Sequence, residues 1–344
     1  MWQVIGQSRI ISLLQHGLET VTLAHAYLII GPLHIGKMTI ALQLAQALNC
    51  EAAERPCLEC TSCQKISVMN HADVQVIGLT QNDDAAEAKL ISIDQIKELQ
   101  HSASLPPFEG KQKVYIIDGA EVMSTEAANC LLKTLEEPPE GVTIILLTKN
   151  DRFLPTTVVS RCQRLELTPL SKEDITRALT ESSGIELQKA KLLAGLSHGC
   201  PGWAISAAQD ESLLQHLKDE LDRVIEIINA SCEERFAYIA PMAARFNQDR
   251  NSVYEVLDVW LDYWHDMMLV KLGCRDMITN VDRGDEFAES SAGYRIDQIE
   301  GCIKNIRAAA DRLRQNANPR LTLEVLMLDI PGKESGSQVN RLTL

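Results

Sequence analysis

A short stretch near the beginning of the chain constrains the fold most. Residues 26–30 form an unbroken apolar run, residues 31–38 read Gly-Pro-Leu-His-Ile-Gly-Lys-Met, and residues 39–48 carry apolar side chains at helical spacing. A strand, a glycine loop and a helix in this order are the context of a phosphate-binding loop, G-x-x-x-x-G-K-[ST]. Met38 stands where that pattern has a hydroxyl that reaches Mg²⁺. The stretch therefore predicts a nucleotide-type α/β fold whose phosphate loop lacks one metal ligand.

Apolar runs alternate with amphipathic segments over the first 170 residues. Strands are predicted at 73–79, 114–118 and 142–147, helices at 8–19, 91–105 and 125–137, and a polar loop at 81–87. Alternating strands and helices predict a mostly parallel sheet, in which ligands bind at the carboxyl ends of the strands.

Composition and charge narrow the class of protein. The 344 residues suffice for two or three domains, 45% of them are hydrophobic, and no apolar run is long enough for a transmembrane helix. The net charge of −14 argues against autonomous nucleic-acid binding, because Lys and Arg make the contacts with phosphates. The first residues lack a secretory signal, so we expect a cytoplasmic protein without membrane association.

Six residues at the predicted carboxyl edge are candidates for nucleotide contacts: Gly31, Gly36, Lys37, Thr39, Asp118 and Thr148. Loop amides and Lys37 would face the phosphates, and Asp118 would help to hold Mg²⁺ or would only cap the next element. The next residue, Gly119, stands where a carboxylate commonly positions the attacking water, and Glu121 is expected to point elsewhere.

Four cysteines follow the phosphate-loop helix with the spacing C-x₆-C-x₂-C-x₂-C: Cys50, Cys57, Cys60 and Cys63. Four thiolates suit a tetrahedral structural Zn²⁺ with no open position, and clustered cysteines in a cytosolic protein indicate a metal site. The alternatives are an iron–sulfur cluster, or four free or oxidised cysteines.

From residue 169 onward the pattern is helical. Helices are predicted at 213–230, 232–246, 251–271, 296–315 and 321–328, with a long loop at 277–292 and a disordered tail after Pro331. Trp260, Tyr263 and Trp264 share one helix, where core is the commoner use of such side chains and a partner surface is the alternative. An all-helical region of this kind favours a role in oligomerisation.

Five stretches together resemble the AAA+ clamp-loader subunits of bacterial DNA polymerase III. In addition to the degenerate phosphate loop they are His25-Ala26-Tyr27-Leu28, Val114-Tyr115-Ile116-Ile117-Asp118, Leu131-Leu132-Lys133-Thr134-Leu135-Glu136-Glu137-Pro138-Pro139 and Ser160-Arg161-Cys162. The resemblance covers residues 1–205. It implies a RecA-like AAA+ core at 1–168 with a zinc-binding insertion at 50–63, a helical lid at 169–210, an all-α collar domain at 211–330 and a tail at 331–344.

In this family five subunits form a ring that uses ATP to open a sliding clamp and place it on primed DNA. Some members hydrolyse ATP, whereas a stator member supplies an arginine finger to its neighbour's ATP, and by resemblance Arg161 is that arginine. A surface ion pair is the alternative for Arg161. The implied partners are gamma/tau and delta subunits, the sliding clamp and primed DNA, and the chain is then part of a polymerase holoenzyme without a polymerase site of its own.

The resemblance also bears on hydrolysis. Active relatives have an arginine that senses the γ-phosphate where this chain has Trp203. With Met38 and Gly119 this is a third departure, so we expect little or no intrinsic ATPase and weak ATP/Mg²⁺ binding. One rival is an autonomous AAA+ ATPase in DNA replication or repair that uses Thr39 and Glu121. The other is a metal or redox thiol protein with a vestigial loop.

Overall fold

The structure is a computed structural model that describes residues 2–79 and 90–331. The loop predicted at 81–87 and the predicted tail lie outside these residues. The chain divides into two compact units, one formed by Met1–Ser183 with Ser197–Ala204 and the other by Gly184–Leu196 with Ile205–Leu344. The finer division into core, lid and collar stays a prediction. In the described ranges no helix is both long and apolar enough to cross a membrane.

A five-stranded parallel sheet forms the centre of the first unit. Its strands are β1 (Ala26–Ile30), β2 (Val74–Ile77), β3 (Lys113–Asp118), β4 (Val142–Thr148) and β5 (Gln163–Glu166). Their order across the sheet is β2-β3-β4-β1-β5. The register pairs Ile30 with Thr148 and Asp118 with Leu147, so the carboxyl ends of three central strands lie side by side.

The described residues of the first unit include seven complete helices. They are α1 (Ser8–Thr20), α2 (Lys37–Asn49), α3 (Thr61–Ser67), α4 (Ile93–Ala103), α5 (Thr125–Glu136), α6 (Thr156–Val159) and α7 (Lys172–Ser183). Short 3₁₀ turns occur at Ala120–Val122 and Asp151–Phe153. Ser92 and Gln95 form a capping box at the start of α4, and Ser124 caps α5.

Both faces of the sheet are covered, which explains the unbroken apolar strands. Tyr27 and Ile29 of β1 lie in a core that includes side chains of α1 and α2. The intervening Ala26, Leu28 and Ile30 lie in a second core with side chains of α4 and α5. A parallel strand buried on both faces requires apolar residues at every position. The predicted α/β fold class is confirmed.

The second unit is helical throughout its described residues. After α8 (Leu187–Leu196) and α9 (Pro201–Gln209, which begins in the first unit) come α10 (Glu211–Ile228), α11 (Cys232–Arg245), α12 (Arg250–Lys271), α13 (Gly284–Ala292), α14 (Ile296–Arg314) and α15 (Pro319–Asp329). Two 3₁₀ turns lie at Arg275–Met277 and Val281–Arg283.

The long loop predicted at 277–292 is wrong, because its second half is helix α13. Phe287 is fully buried there, and Ser290 and Ser291 are also buried although they are polar. The buried face was therefore hidden from a search for apolar periodicity. Trp260, Tyr263 and Trp264 are at most 2% exposed, so the core interpretation of these aromatics is confirmed.

Candidate functional site

The candidate nucleotide residues come together at the carboxyl edge of the sheet. The loop after β1 leads into α2 through Gly36, whose φ of 104° is a conformation that favours glycine. The backbone N–H of Gly31 donates to the carbonyl of Thr148 at 3.1 Å. Asp118 ends β3, the strand next to β4. The predicted loop, aspartate and threonine therefore occupy neighbouring strand ends.

Lys37 turns its ammonium group onto the loop itself. Its Nζ donates to the carbonyls of Gly31 at 2.7 Å and Pro32 at 2.6 Å, and the residue is only 9% exposed. Burial lowers the pKa of Lys37, against the opposing effect of Glu121 and Asp118. In a working phosphate loop this lysine reaches the β- and γ-phosphates. Here a phosphate has to compete with two carbonyls.

The metal side of the loop is apolar where the pattern has a hydroxyl. Met38 and Trp203 are both partly buried and pack against the core beside α1 and α2. Thr39, the predicted substitute, is exposed. The buried Thr148 hydroxyl donates to the carbonyl of Asn150 at 3.1 Å and accepts from its N–H at 3.2 Å. A thioether in apolar contact thus replaces one Mg²⁺ ligand, and the threonine at the end of β4 is engaged within its own turn.

Glu121 directs its carboxylate to the turn that follows β4. The turn Ala120–Val122 follows Gly119, which has φ 75°, and one carboxylate oxygen of Glu121 accepts from the N–H of Lys149 at 3.4 Å. Its other oxygen is buried and has no hydrogen-bond partner among the described residues. Of the charges that raise the pKa of Lys37, Glu121 acts most strongly. The charge of a carboxylate therefore acts on Lys37 although Gly119 supplies none.

A segment of the predicted lid contacts the phosphate loop. The N–H of Gly202 donates to the carbonyl of His34 at 2.9 Å, and a Cβ on Gly202 would lie 2.7 Å from that oxygen. Burial raises the pKa of the Cys200 thiol, while Lys37 opposes this rise. The family resemblance implies an arginine at the position of Trp203, where this segment has an indole. The neighbouring residue, Gly202, lies too close to the phosphate loop to carry a side chain.

Arg161 lies at the surface, with 34% of its side chain exposed, just after α6. One terminal nitrogen donates to the carbonyl of Thr157 at 2.9 Å, and the other lies 2.5 Å from a carboxylate oxygen of Glu136. The surface ion pair that sequence analysis gave as the alternative is present. It does not test the predicted role on a neighbour's nucleotide, because that role needs a second chain.

The four clustered cysteines converge on one point. Their sulfur atoms all lie within 4.8 Å of one another, and the sulfurs of Cys57 and Cys63 are 3.9 Å apart. Sulfurs at the corners of a tetrahedron around Zn²⁺, with Zn–S bonds of about 2.3 Å, are about 3.8 Å apart. The cluster Cys50, Cys57, Cys60 and Cys63 therefore fits a single metal ion such as zinc.

Local hydrogen bonds prepare and anchor this cysteine module. The N–H of Cys60 donates to the sulfur of Cys57 at 3.3 Å, and such backbone bonds lower the pKa of the Cys57 thiol to about 6, which favours the thiolate that metals bind. Gln46 of α2 donates to the carbonyl of Cys63 at 2.8 Å. Lys111 donates to the carbonyl of Cys50 at 2.5 Å. The module is thus fixed to α2 and to the loop before β3.

Sequence reasoning missed a buried carboxylate beside this module. Asp73 is 3% exposed and accepts from the backbone N–H groups of Phe108, Glu109 and Gly110 at 2.8, 2.8 and 2.7 Å. Burial acts to raise the pKa of Asp73, but the three donors together hold it below its ordinary value. Glu109 in turn pairs with Lys65 of α3. An aspartate next to a strand was the available signal, but its partners lie more than 30 residues away.

Comparisons with known proteins agree with the resemblance seen in the sequence. The family model described as "DNA polymerase III, delta subunit" matches residues 6–171. The DNA polymerase III subunit delta' of Bacillus subtilis is 29% identical over 323 residues, which cover 94% of this chain and 95% of that relative. The tau subunit of Bacillus subtilis is 28% identical over 352 residues, and the tau subunit of Escherichia coli is 32% identical over 265 residues. These alignments cover 95% and 70% of this chain but only 60% and 40% of the two tau subunits.

Solved structures of low sequence identity also match. A gamma-subunit-related protein of Thermotoga maritima has a TM-score of 0.42 at 16% identity, covering 92% of this chain and 97% of its own. The RuvB branch migration motor of Thermotoga maritima has a TM-score of 0.42 at 18% identity, covering 68% of this chain and 76% of its own.

The parallel sheet with its phosphate-type loop and these matches define the class that the chain resembles: it is similar to the clamp-loader subunits of DNA polymerase III, which supports a role in DNA replication. Within that class the chain is delta-prime-like, since a delta' subunit matches it over nearly the whole of both chains.

Proposed function

We propose that this chain is the stator of a clamp-loader ring in the bacterial cytoplasm. It assembles with gamma/tau-type and delta-type subunits, supplies Arg161 to the ATP of a neighbour, and hydrolyses little or no ATP itself. The ring opens a sliding clamp and places it on primed DNA. The similarity to a delta' subunit over 94% of the chain supports this proposal, and the division into core (1–168), lid (169–210) and collar (211–330) belongs to it.

The observation that carries the proposal is the contrast between two cationic side chains. Lys37 is buried and bonded to the carbonyls of its own loop. Arg161 is partly exposed at the surface, where a second subunit can approach it. An arginine at a neighbour's γ-phosphate stabilises the charge of the transition state, and such fingers contribute a factor of about 10³ or more to kcat.

The experiment reconstitutes the ring with clamp and primed DNA and follows a single turnover of bound ATP. With Arg161→Ala we expect a slow phase whose amplitude equals one site, because only the site facing Arg161 loses its finger. Arg164→Ala is the matched control: Arg164 is 52% exposed and pairs with Asp151 at 2.5 Å. Equal kinetics for the two variants would refute the finger, provided that both have wild-type urea midpoints.

A second candidate function, an autonomous ATPase, is favoured by one observation, the carboxylate of Glu121 that accepts from the N–H of Lys149 just after β4. It is tested on the isolated chain with DNA present. DNA-stimulated turnover that Lys37→Ala abolishes would support this candidate. The stator proposal expects turnover at background for both proteins.

We also propose that the cysteine module holds structural zinc. Four thiolates complete a tetrahedral shell and leave no position for water or substrate. The mutual distance limit of 4.8 Å favours one ion over an iron–sulfur cluster, whose thiolates bind different irons. Metal analysis of the purified chain distinguishes zinc from iron, and iron would contradict the proposal.

A further inference from the structure

The guanidinium of Arg161 is held from two sides within its own subunit. The carbonyl of Thr157, in α6, accepts from one terminal nitrogen, and the carboxylate of Glu136, at the end of α5, binds the other. Two separate helices therefore define where this long side chain extends. The contact joins residues 25 positions apart in sequence, inside two of the motifs that carry the family resemblance.

We propose that Glu136 is a positioning residue for Arg161, an inference that rests on the proposed finger role. Ordering an arginine side chain costs rotamer entropy. If the subunit orders the side chain before assembly, this entropy cost does not weaken the docking of the neighbouring subunit, and the guanidinium is already positioned when the subunits meet. Glu136 acts through Arg161 and does not itself touch the nucleotide.

The position of Glu136 is unfavourable for a helix considered alone. It is the last residue of α5, where the negative end of the helix dipole disfavours a carboxylate. Half of its side chain is exposed, and exposed ion pairs contribute little to stability. The pair with Arg161 is thus better explained by the geometry it imposes on the arginine than by a contribution to folding.

The test uses the reconstituted ring and the same single-turnover assay. We expect Glu136→Ala to slow the phase of the one site facing Arg161 about three- to tenfold, where tenfold corresponds to about 1.4 kcal/mol, with no change in the affinity of the ring for ATP. Glu136→Gln keeps an acceptor oxygen and is expected to be faster than Glu136→Ala. Glu137→Ala removes the same charge from the adjacent exposed residue and is expected to behave as wild type.

The double variant shows whether Glu136 works through the arginine. Glu136→Ala combined with Arg161→Ala should equal Arg161→Ala alone, because two residues that act as one unit are non-additive. An unchanged or faster rate with Glu136→Ala would overturn the inference, as would Glu136→Gln being no faster than Glu136→Ala. A wild-type rate with Arg161→Ala would overturn the proposed function and this inference together. A slowed rate with Arg161→Ala but a wild-type rate with Glu136→Ala would overturn this inference alone.

Discussion

Replacing Asp73 by Asn removes a buried charge without changing the size of the side chain. One carboxylate oxygen accepts from Phe108 and the other from Glu109 and Gly110. An amide has a single acceptor oxygen, so the better orientation of Asp73→Asn keeps two bonds and turns its NH₂ group toward the N–H of Phe108.

The magnitude follows from these three bonds. Hydrogen bonds to charged groups contribute about 1.5–3 kcal/mol each and neutral ones about 0.5–1.5 kcal/mol. Losing one charged bond and converting two into neutral ones lowers the free energy of unfolding by roughly 3.5–6 kcal/mol at neutral pH. Folded domains have about 5–15 kcal/mol in total, so the loss is large.

The assay combines urea unfolding with hydrogen exchange of the backbone amides at 108–110, which reports on the loop directly. Asp94→Asn is the control: Asp94 is an aspartate with 85% of its side chain exposed, and its substitution should change stability by about 0.5 kcal/mol or less. A loss below about 1 kcal/mol for Asp73→Asn would refute the reasoning.

The pH dependence gives an independent check on the same carboxylate. The folded-state pKa of Asp73 lies below its unfolded value, which is about 3.9. The stabilisation is therefore complete above the unfolded pKa and is lost as the pH falls through the folded pKa. The difference in urea midpoint between wild type and Asp73→Asn should shrink below about pH 4, and a difference that persists unchanged at lower pH would contradict the assignment.

Two further perturbations test the cysteine module with its proposed zinc and the contact between Gly202 and His34. Removing the metal, or Cys57→Ser, should speed exchange in α3 and lower the Tm of the first unit by more than about 5 °C, because structural zinc contributes folding free energy directly; a metal-free chain with an unchanged Tm would contradict this. Gly202→Ala places a Cβ 2.7 Å from the carbonyl of His34 and should cost about 1–3 kcal/mol by urea unfolding. Gly301→Ala, in α14, adds a Cβ that would meet no atom of the described residues within 4 Å beyond the adjacent backbone of its own helix, so it should be neutral or stabilising by about 0.5–1 kcal/mol.

The sheet could be predicted from the sequence because its central strands carry a signal at every residue. Burial on both faces makes β1, β3 and β4 nearly continuous apolar runs, and Pro138-Pro139 marks the end of α5. Helix α13 gave no such signal, since its buried face is formed by one phenylalanine and by serines. Periodicity detects only faces that are apolar.

The position of the candidate residues in the fold was predictable from the sequence, whereas their orientation was not. Sequence order places Asp118 and Thr148 at strand ends and Lys37 after the loop that follows a third strand, and the structure brings these strand ends together. Whether Lys37 faces a phosphate or its own loop depends on the path of a few backbone carbonyls. The position of the Glu121 carboxylate depends on the conformation of the turn that follows Gly119. Neither of these two orientations can be recognised from apolar spacing or residue type.

The departures from an active ATP site have a shared physical consequence. Met38 and Trp203 both pack against the core beside α1 and α2, and Gly202 contacts the loop through His34. A hydroxyl restored at position 38 would be placed in an apolar contact, and burying this polar group would cost free energy. The indole of Trp203 and the contact between Gly202 and His34 would remain. The loop is thus held by contacts with Trp203 and Gly202 and by the bonds of Lys37 to its own carbonyls. Under the proposed function this is consistent with a subunit that keeps one geometry, which is what presenting a fixed arginine to a neighbour requires.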